Sequence, residues 1–534
     1  MSTTSTHGSR ALSMASGTLV SRLTGLLRVL VLAWVLGFTP IADSFNLANT
    51  IPNMLFDLVL GGIASATFIP VFVERLALDG ERKAWKSISS VITGALVVLI
   101  VASALAWISA PWIIDGFTLL QHPATQHSLV TLHQQRVVAT SLLRWFVPQI
   151  FFYGVIGIAT SLLNIRRRFG VATWVPVANN VVCIGVLIWF HLVDPTPVLA
   201  ALSGSRDLLW LGLGTTLGVA VQFLCLVPSL ARSELWRLSF RLDLKDPAMR
   251  TVGRLGSWTL FVVIANQLSL YVVLAYAFGN GGNGPVSAYT YGWSFMQMPY
   301  AVVVVSVLGA ITPQLAGFAT AEDYAGLAER LRFALRQSLV IIIPCTLVLI
   351  VVAQPLVGIL LNHANAAHSL AAGTVLAVLA AGLPGFTVFQ LCVRGLQSMQ
   401  RAREVFGLYF FENALTIALC VVLGRHSLAG LTASVSIGYS VAAVAALVVL
   451  ARHRVNIVSG VWSVHVRRSL YASLVATVAV AALYAVPAWT HGVGLIARLT
   501  GALVGGLLIY LVVVVVLRQR LRRTQTKGAR LQKF

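Results

Sequence analysis

Two arginines stand inside the first long apolar run of the chain, Arg22 and Arg28 within residues 15–37. A charge at the centre of a bilayer costs at least about 2.5–3.5 kcal/mol on insertion scales, so such a residue has to face a cavity or a partner. Arg22 lies near the end of the run. It either snorkels to the interface along its own stem or marks the entrance to a cavity. Arg28 lies near the middle, where snorkelling is hard, and is expected to face a hydrated cavity. Their spacing sets them about 120° apart around a helix and at different depths.

The next run carries the densest polar pattern. Asn46, Asn49 with Thr50, Asn53 and Asp57 recur at helical spacing and share one face. Pro52 interrupts the backbone ladder beside that face. A polar stripe on a kinked helix suits the wall of a cavity that binds a substrate; the other reading is a buried interhelical hydrogen-bond seam. Asp57 lies deep, and Arg28 is the expected partner. Arg144 and Pro148 sit in the outer half of a later run, and Glu412 with Asn413 interrupt another. A lone carboxylate in an apolar helix points to a proton or cation site for ion coupling, or to a carboxylate neutralised by a basic neighbour.

Enzyme chemistry has no signature here. There is no glycine-rich nucleotide loop, no nucleophile elbow and no HExxH. Cys183, Cys225, Cys345, Cys392 and Cys420 fall inside apolar runs without metal-ligand spacing and read as small buried hydrophobes. No catalytic residue, metal or cofactor is expected, apart from a coupling cation of unknown identity.

The elements that must hold these residues are membrane helices. Of 534 residues 58% are hydrophobic and only 10% charged, and the mean hydropathy is +0.86. A soluble domain carries roughly 25% charged residues, so an ordinary soluble enzyme and a disordered chain are excluded. Runs of about 20 apolar residues cross a bilayer. Fourteen are expected, near 15–37, 43–73, 88–114, 138–163, 172–193, 208–230, 253–278, 285–315, 328–353, 370–393, 405–424, 428–451, 469–487 and 495–517. No cleavable leader is expected before them.

The net charge of +22 sorts by loop. One side collects Arg75, Arg82, Lys83, Lys86, Arg166–Arg168 and Arg232–Arg254, followed by the arginines near 330, 400, 452 and 467 and the tail beyond 518. The opposite loops hold only Arg136, Arg206 and Arg425. The positive-inside rule then makes both termini cytoplasmic. The excess charge is a topology signal, strengthened by attraction to anionic membrane lipids, and nucleic acid is not needed to explain it.

Six spans are an even number, so spans 1–6 and 7–12 begin on the same side, as parallel repeats do. Pro148, Asn164 and Arg167 in span 4 recur as Pro384, Gln400 and Arg403 in span 10, at equal offsets. Ala66–Pro70 resembles Gly309–Pro313 at the inner ends of spans 2 and 8. The expected organisation is an N-lobe at 1–230, a basic linker at 231–252 lying on the membrane surface, and a C-lobe at 253–451. Spans 13–14 at 452–517 and a basic tail at 518–534 complete the chain.

Ser21-Arg22-Leu23-Thr24-Gly25-Leu26-Leu27-Arg28, Ala42-Asp43-Ser44-Phe45-Asn46, Ile51-Pro52-Asn53 and Gly62–Pro70 resemble the opening of the MurJ/MviN lipid II flippases. Leu142-Leu143-Arg144 through Pro148, and Leu163-Asn164 through Pro176 and Asn180, resemble the same family's fourth and fifth spans. The Asn-rich second span with its Leu-Gly-Gly run is similar to the high-GC Gram-positive branch. The resemblance implies an all-α fold of the MOP superfamily: two six-helix lobes in a V around a central cavity, plus a terminal helix pair forming a lipid-tail groove. It implies transport, by alternating access, of the undecaprenyl-diphosphate-linked peptidoglycan precursor from the inner to the outer leaflet. Arg22, Arg28 and Asn53 would contact substrate, and Asp43 and Arg144 would close an outer gate by pairing. Partners would be the lipid-linked glycan and, besides anionic lipids, cell-wall synthesis proteins. Many members carry two arginines where this chain has Phe56 and Asp57, and an Arg and a Glu where it has Ser294 and Gln297. That depletion keeps two alternatives open: a MOP exporter of another polyprenyl-linked or amphipathic cargo, and a non-transporting scaffold for cell-wall enzymes.

Overall fold

A computed structural model describes residues 3–61, 72, 80–121, 125–165, 169–232, 239–243, 247–280, 284–360, 366–458, 463–485 and 493–531. Among them every regular element is a helix. Thirteen segments are long and apolar enough to cross a membrane, and they fall on the expected spans with one exception. The exception is span 2. Its helix ends after 17 residues and passes into a π-helical turn, Asp57–Gly61. The rest of the expected span, including Ala66–Pro70, lies outside the described residues.

The chain divides into two compact units, Met1–Tyr291 and Gly292–Phe534. The first contains α1 (Thr3–Leu36), α2 (Pro40–Phe56), α3 (Gly80–Ile108), α4 (Ala110–Phe117), α5 (Gln126–Phe146), α6 (Pro148–Ile165), α7 (Phe169–Val193) and α8 (Arg206–Ala231). It runs on through α9 (Pro247–Gly279) and the first turns of α10 (Pro285–Pro299). Here α1 packs along α7, α7 along α8, α2 against α5 and α3 against α6.

Span 4 breaks between α5 and α6 because Pro148 cannot continue the ladder. The break leaves the Trp145 carbonyl to accept the Thr216 hydroxyl of α8 at 2.7 Å. The linker also has a defined seat. Backbone N–H groups of Ser239, Arg241 and Asp243 donate to the hydroxyls of Ser89, Thr93 and Ser90 on α3, at 2.9–3.2 Å. Alternate pinning turns Phe240 outward, 84% exposed. The linker residues 233–238 and 244–246 lie outside the described set.

The second unit holds α11 (Val305–Thr320), α12 (Tyr324–Leu360), α13 (Ala366–Ala381), α14 (Leu383–Ser398), α15 (Ala402–Leu419) and α16 (Leu428–Arg452). Its last members are α17 (Val464–Ala485) and α18 (Val493–Leu531). Its packing repeats motifs of the first unit: α12 on α13, α11 on α14, α14 on α16 and α15 on α16. Span 10 breaks at Gly382, before Pro384, as span 4 breaks before Pro148. The Val378 carbonyl accepts the Ser436 hydroxyl of α16 at 2.8 Å. A π turn also recurs: Tyr300–Val304 continues α10 as Asp57–Gly61 continues α2.

The terminal pair α17–α18 docks through a proline. Pro344 lies inside α12 and has no N–H, so the Val340 carbonyl four residues earlier loses its helical donor. Ser469 Oγ of α17 donates to it at 2.7 Å and Tyr510 OH of α18 at 3.1 Å. Val352, Val480, Leu499 and Ala502 add an apolar cluster between the same three helices.

Candidate functional site

The polar groups of the first unit gather in a seam between α1, α2, α6, α7 and α8. Arg28 is half-buried, and its guanidinium reaches the Cys183 thiol of α7 and lies in the field of the Tyr153 phenol of α6. The Asn53 side chain of α2 also reaches the Tyr153 hydroxyl. Tyr153 OH donates to Gln149 Oε1 at 3.2 Å, and Gln149 Nε2 donates to Thr216 Oγ1 at 3.1 Å. Cys183 Sγ donates to Asn179 Oδ1 at 3.2 Å. Among the described residues no carboxylate pairs with Arg28. A guanidinium held among neutral donors and acceptors keeps its positive field and its planar fork for a bound anion.

The stripe on α2 lies on one face but meets different neighbours at different depths. Asn49 and Asn53 form its middle, where Asn53 Nδ2 donates to the Asn49 carbonyl at 2.9 Å. Asn46 is buried, and its Nδ2 donates to the Ser287 hydroxyl of α10 at 3.0 Å. At that depth the stripe is a hydrogen-bond seam between helices. Asp57 is not the partner of Arg28: it lies past the end of α2 in the π turn and accepts Gln267 Nε2 of α9 at 3.2 Å. The carboxylate is taken by the amide that α9 brings to this depth.

Asp43 sits in the first turn of α2, which Thr39 caps by accepting the Ala42 N–H. Its carboxylate is 1% exposed and caps a second helix. Oδ1 accepts the Ser287 N–H at 2.7 Å and the Ser287 hydroxyl at 2.8 Å, and the N–H groups of Gly284 and Val286 also bond the carboxylate. Those N–H groups belong to the start of α10, which has no internal acceptors for them. Gly284 takes φ +80°, and a Cβ there would come within 2.5 Å of the Phe38 backbone. The approach that delivers α10 to Asp43 therefore needs glycine.

Arg144 is elsewhere. It is exposed, its guanidinium stacked over the Trp107 ring at 5.2 Å. The expected Asp43–Arg144 pair is not formed, because each group already has its own partner. Arg22 is exposed on α1.

In the second unit Glu412 is 2% exposed within α15. Its Oε1 accepts the Thr416 hydroxyl at 3.2 Å, and its Oε2 is buried with no hydrogen-bond partner among the described residues. Asn413 Nδ2 turns back to the Tyr409 carbonyl at 2.7 Å. Gly438 lets α16 come close enough to cover this group: a Cβ there would lie 2.2 Å from Thr416 Oγ1.

A family model described as Lipid II flippase MurJ matches residues 32–526. The chain belongs to the MurJ family. It is 27% identical over 444 residues to the lipid II flippase MurJ of Burkholderia cenocepacia, covering 80% of this chain and 81% of that one. A solved lipid II flippase MurJ in an inward closed conformation superposes with a TM-score of 0.75 at 19% identity, covering 95% and 99% of the two chains. An inward-facing multidrug resistance MATE transporter of the MOP superfamily superposes at 0.66 and 14%, covering 83% and 98%. The fold is thus the one that MurJ and the MATE transporters share. Where many MurJ sequences place two arginines, the Phe56 ring packs on Tyr153 at 5.9 Å and Asp57 takes Gln267.

Gln149, Tyr153, Cys183, Gln267 and Ser287 carry no mark in the sequence that singles them out as strongly as the charged residues. Gln149 has a weak signal, being the polar residue directly after Pro148. Cys183 has none: it is buried, as a small hydrophobe would be, and still sits against Arg28. Cys392 and Cys420 are buried too, but Cys225 is exposed, which corrects its expected burial.

Proposed function

We propose that this chain is a lipid II flippase of the cytoplasmic membrane, with both termini in the cytoplasm. It would carry the undecaprenyl-diphosphate-linked precursor from the inner to the outer leaflet by alternating access. Family membership supports the cargo. The observation that carries the site assignment is Arg28, a half-buried guanidinium with no carboxylate partner among the described residues. In this reading Arg28 holds the diphosphate, and Asn49, Asn53 and Tyr153 supply neutral contacts beside it. Arg22 stands at the inward entrance. Asn46 and Asp57 fix the substrate helix α2 to α10 and α9. Asp43 and Arg144 belong to the outer gate, Asp43 by holding the start of α10.

No ATP motif is present in the sequence, so the drive is the membrane potential, an ion gradient or product removal. One charge moved through 100 mV supplies about 2.3 kcal/mol. The Glu412 carboxylate, with Asn413 beside it and one oxygen unpartnered among the described residues, is the proposed coupling group. Anionic lipids and cell-wall synthesis proteins are the proposed partners.

The test is depletion of the protein in its host, with lipid II accessibility followed at the outer leaflet. Outward appearance should stop. Rescue should fail with Arg28→Ala and be partial with Arg28→Lys, which keeps the charge but not the fork. Unchanged lipid II accessibility on depletion would remove the function, and full rescue by Arg28→Ala would remove Arg28 from it.

A further inference from the structure

A second cationic site lies in the terminal helix pair, far along the chain from Arg28. A cavity of about 210 Å³ opens between α12, α17 and α18, lined by Arg336, His465, Arg468, Ser469 and Tyr510, with Val340 and Val514 among its apolar walls. Arg336 and Arg468 are both half-buried. Arg468 Nε is fully enclosed and has no hydrogen-bond partner among the described residues. The Ser469 and Tyr510 hydroxyls lie 3.1 Å apart at the Val340 carbonyl. Among the described residues no carboxylate lines the cavity.

Two guanidinium groups and a histidine, with no acid among the described lining residues, form a phosphate site beside two hydroxyls that the Val340 carbonyl already holds. Its surroundings say where the phosphate comes from. The cavity lies at the arginine-rich end of the bundle, next to Arg332 and Arg467 in sequence. From there α17 and α18 continue with exposed apolar side chains: Tyr471 is 64% and Val478 69% exposed, and Leu507, Leu511 and Val515 are also exposed. A headgroup in the cavity would leave its acyl chains on these side chains. The volume takes a phosphodiester with its glycerol.

We propose that this cavity binds the phosphate of an anionic glycerophospholipid from the basic-side leaflet and staples the α17–α18 hairpin to α12. Basic pockets between helix ends on the cytoplasmic side hold such headgroups in general. The inner-leaflet assignment rests on the topology of the proposed function. Binding itself does not, and it is measured without lipid II.

The experiment uses the purified full chain in detergent, with phosphatidylglycerol or phosphatidylcholine added as mixed micelles. Retained lipid is counted by mass spectrometry and the Tm is recorded. Phosphatidylglycerol should be retained and raise the Tm, by linkage; phosphatidylcholine should do neither. The double variant Arg336→Gln/Arg468→Gln should retain about tenfold less phosphatidylglycerol and lose the Tm rise. Arg336→Lys/Arg468→Lys keeps the charge and should retain most of both, which separates site loss from a folding defect. Equal retention by the Gln variant, or equal binding of phosphatidylcholine, would overturn the proposal. A Tm rise with inorganic phosphate matching that with phosphatidylglycerol would overturn the lipid as its source.

Discussion

At the scale of single residues, two buried acids show how much a side chain's role depends on what reaches it. Asp43 stands among N–H groups. Replacing it with Ala would strand the Ser287 N–H and hydroxyl and the first amides of α10 in a buried site, at a cost of about 2–3 kcal/mol. Asp43→Asn keeps one acceptor and should cost less. Thermal unfolding in detergent should therefore order wild type above Asn above Ala, and an unchanged Tm for Ala would remove the capping role. Glu412, by contrast, has one oxygen without a hydrogen-bond partner among the described residues. Arg144 is the exposed counterpart of both. Its cation–π contact with Trp107 is worth roughly 0.5–1 kcal/mol, so Arg144→Ala should barely move the Tm. Any transport defect it causes is then not a folding effect.

At the scale of elements, prolines set the helix–helix joints. Each break or freed carbonyl is satisfied by a hydroxyl from a neighbouring helix: Trp145 by Thr216, Val378 by Ser436, and Val340 by Ser469 and Tyr510. The Val340 joint makes a directed prediction. Ser469→Ala with Tyr510→Phe leaves the Val340 carbonyl unpaired, at about 1–3 kcal/mol, and should lower the Tm. Adding Pro344→Ala restores an N–H four residues on and should return much of that loss. A further Tm decrease in the triple variant would show that the hydroxyls act in some other way. The same joints explain why the sequence repeat between spans 4 and 10 is short. What recurs is a proline-directed break with a hydroxyl partner, and few residues are needed to specify it.

At the scale of the whole molecule, the loop charges predict orientation. In a background lacking the five native cysteines, Asp207→Cys should react with a membrane-impermeant maleimide on intact cells. Glu404→Cys should react only after permeabilisation. The reverse pattern would invert the topology.

The sequence by itself determined the membrane class, the run of helices, the sorting of basic residues into alternate loops and the choice of Arg28 as a residue that must face something polar. These come from local rules: 20 apolar residues span a bilayer wherever they occur, and a charge among them is costly whatever its neighbours. The polar face of α2 was legible for the same reason, since helical spacing alone puts Asn46 and Asn53 on one side.

Only the tertiary structure decided who meets whom. Arg28 meets Cys183 in the field of Tyr153 rather than Asp57, Asp43 meets the start of α10 rather than Arg144, and Glu412 is sealed by the approach of α16 at Gly438. Partners of this kind come from helices up to 240 or so residues apart, as Asp43 and Ser287 are. Helical periodicity fixes the direction in which a side chain points. Which helix stands there is set by packing over the whole unit.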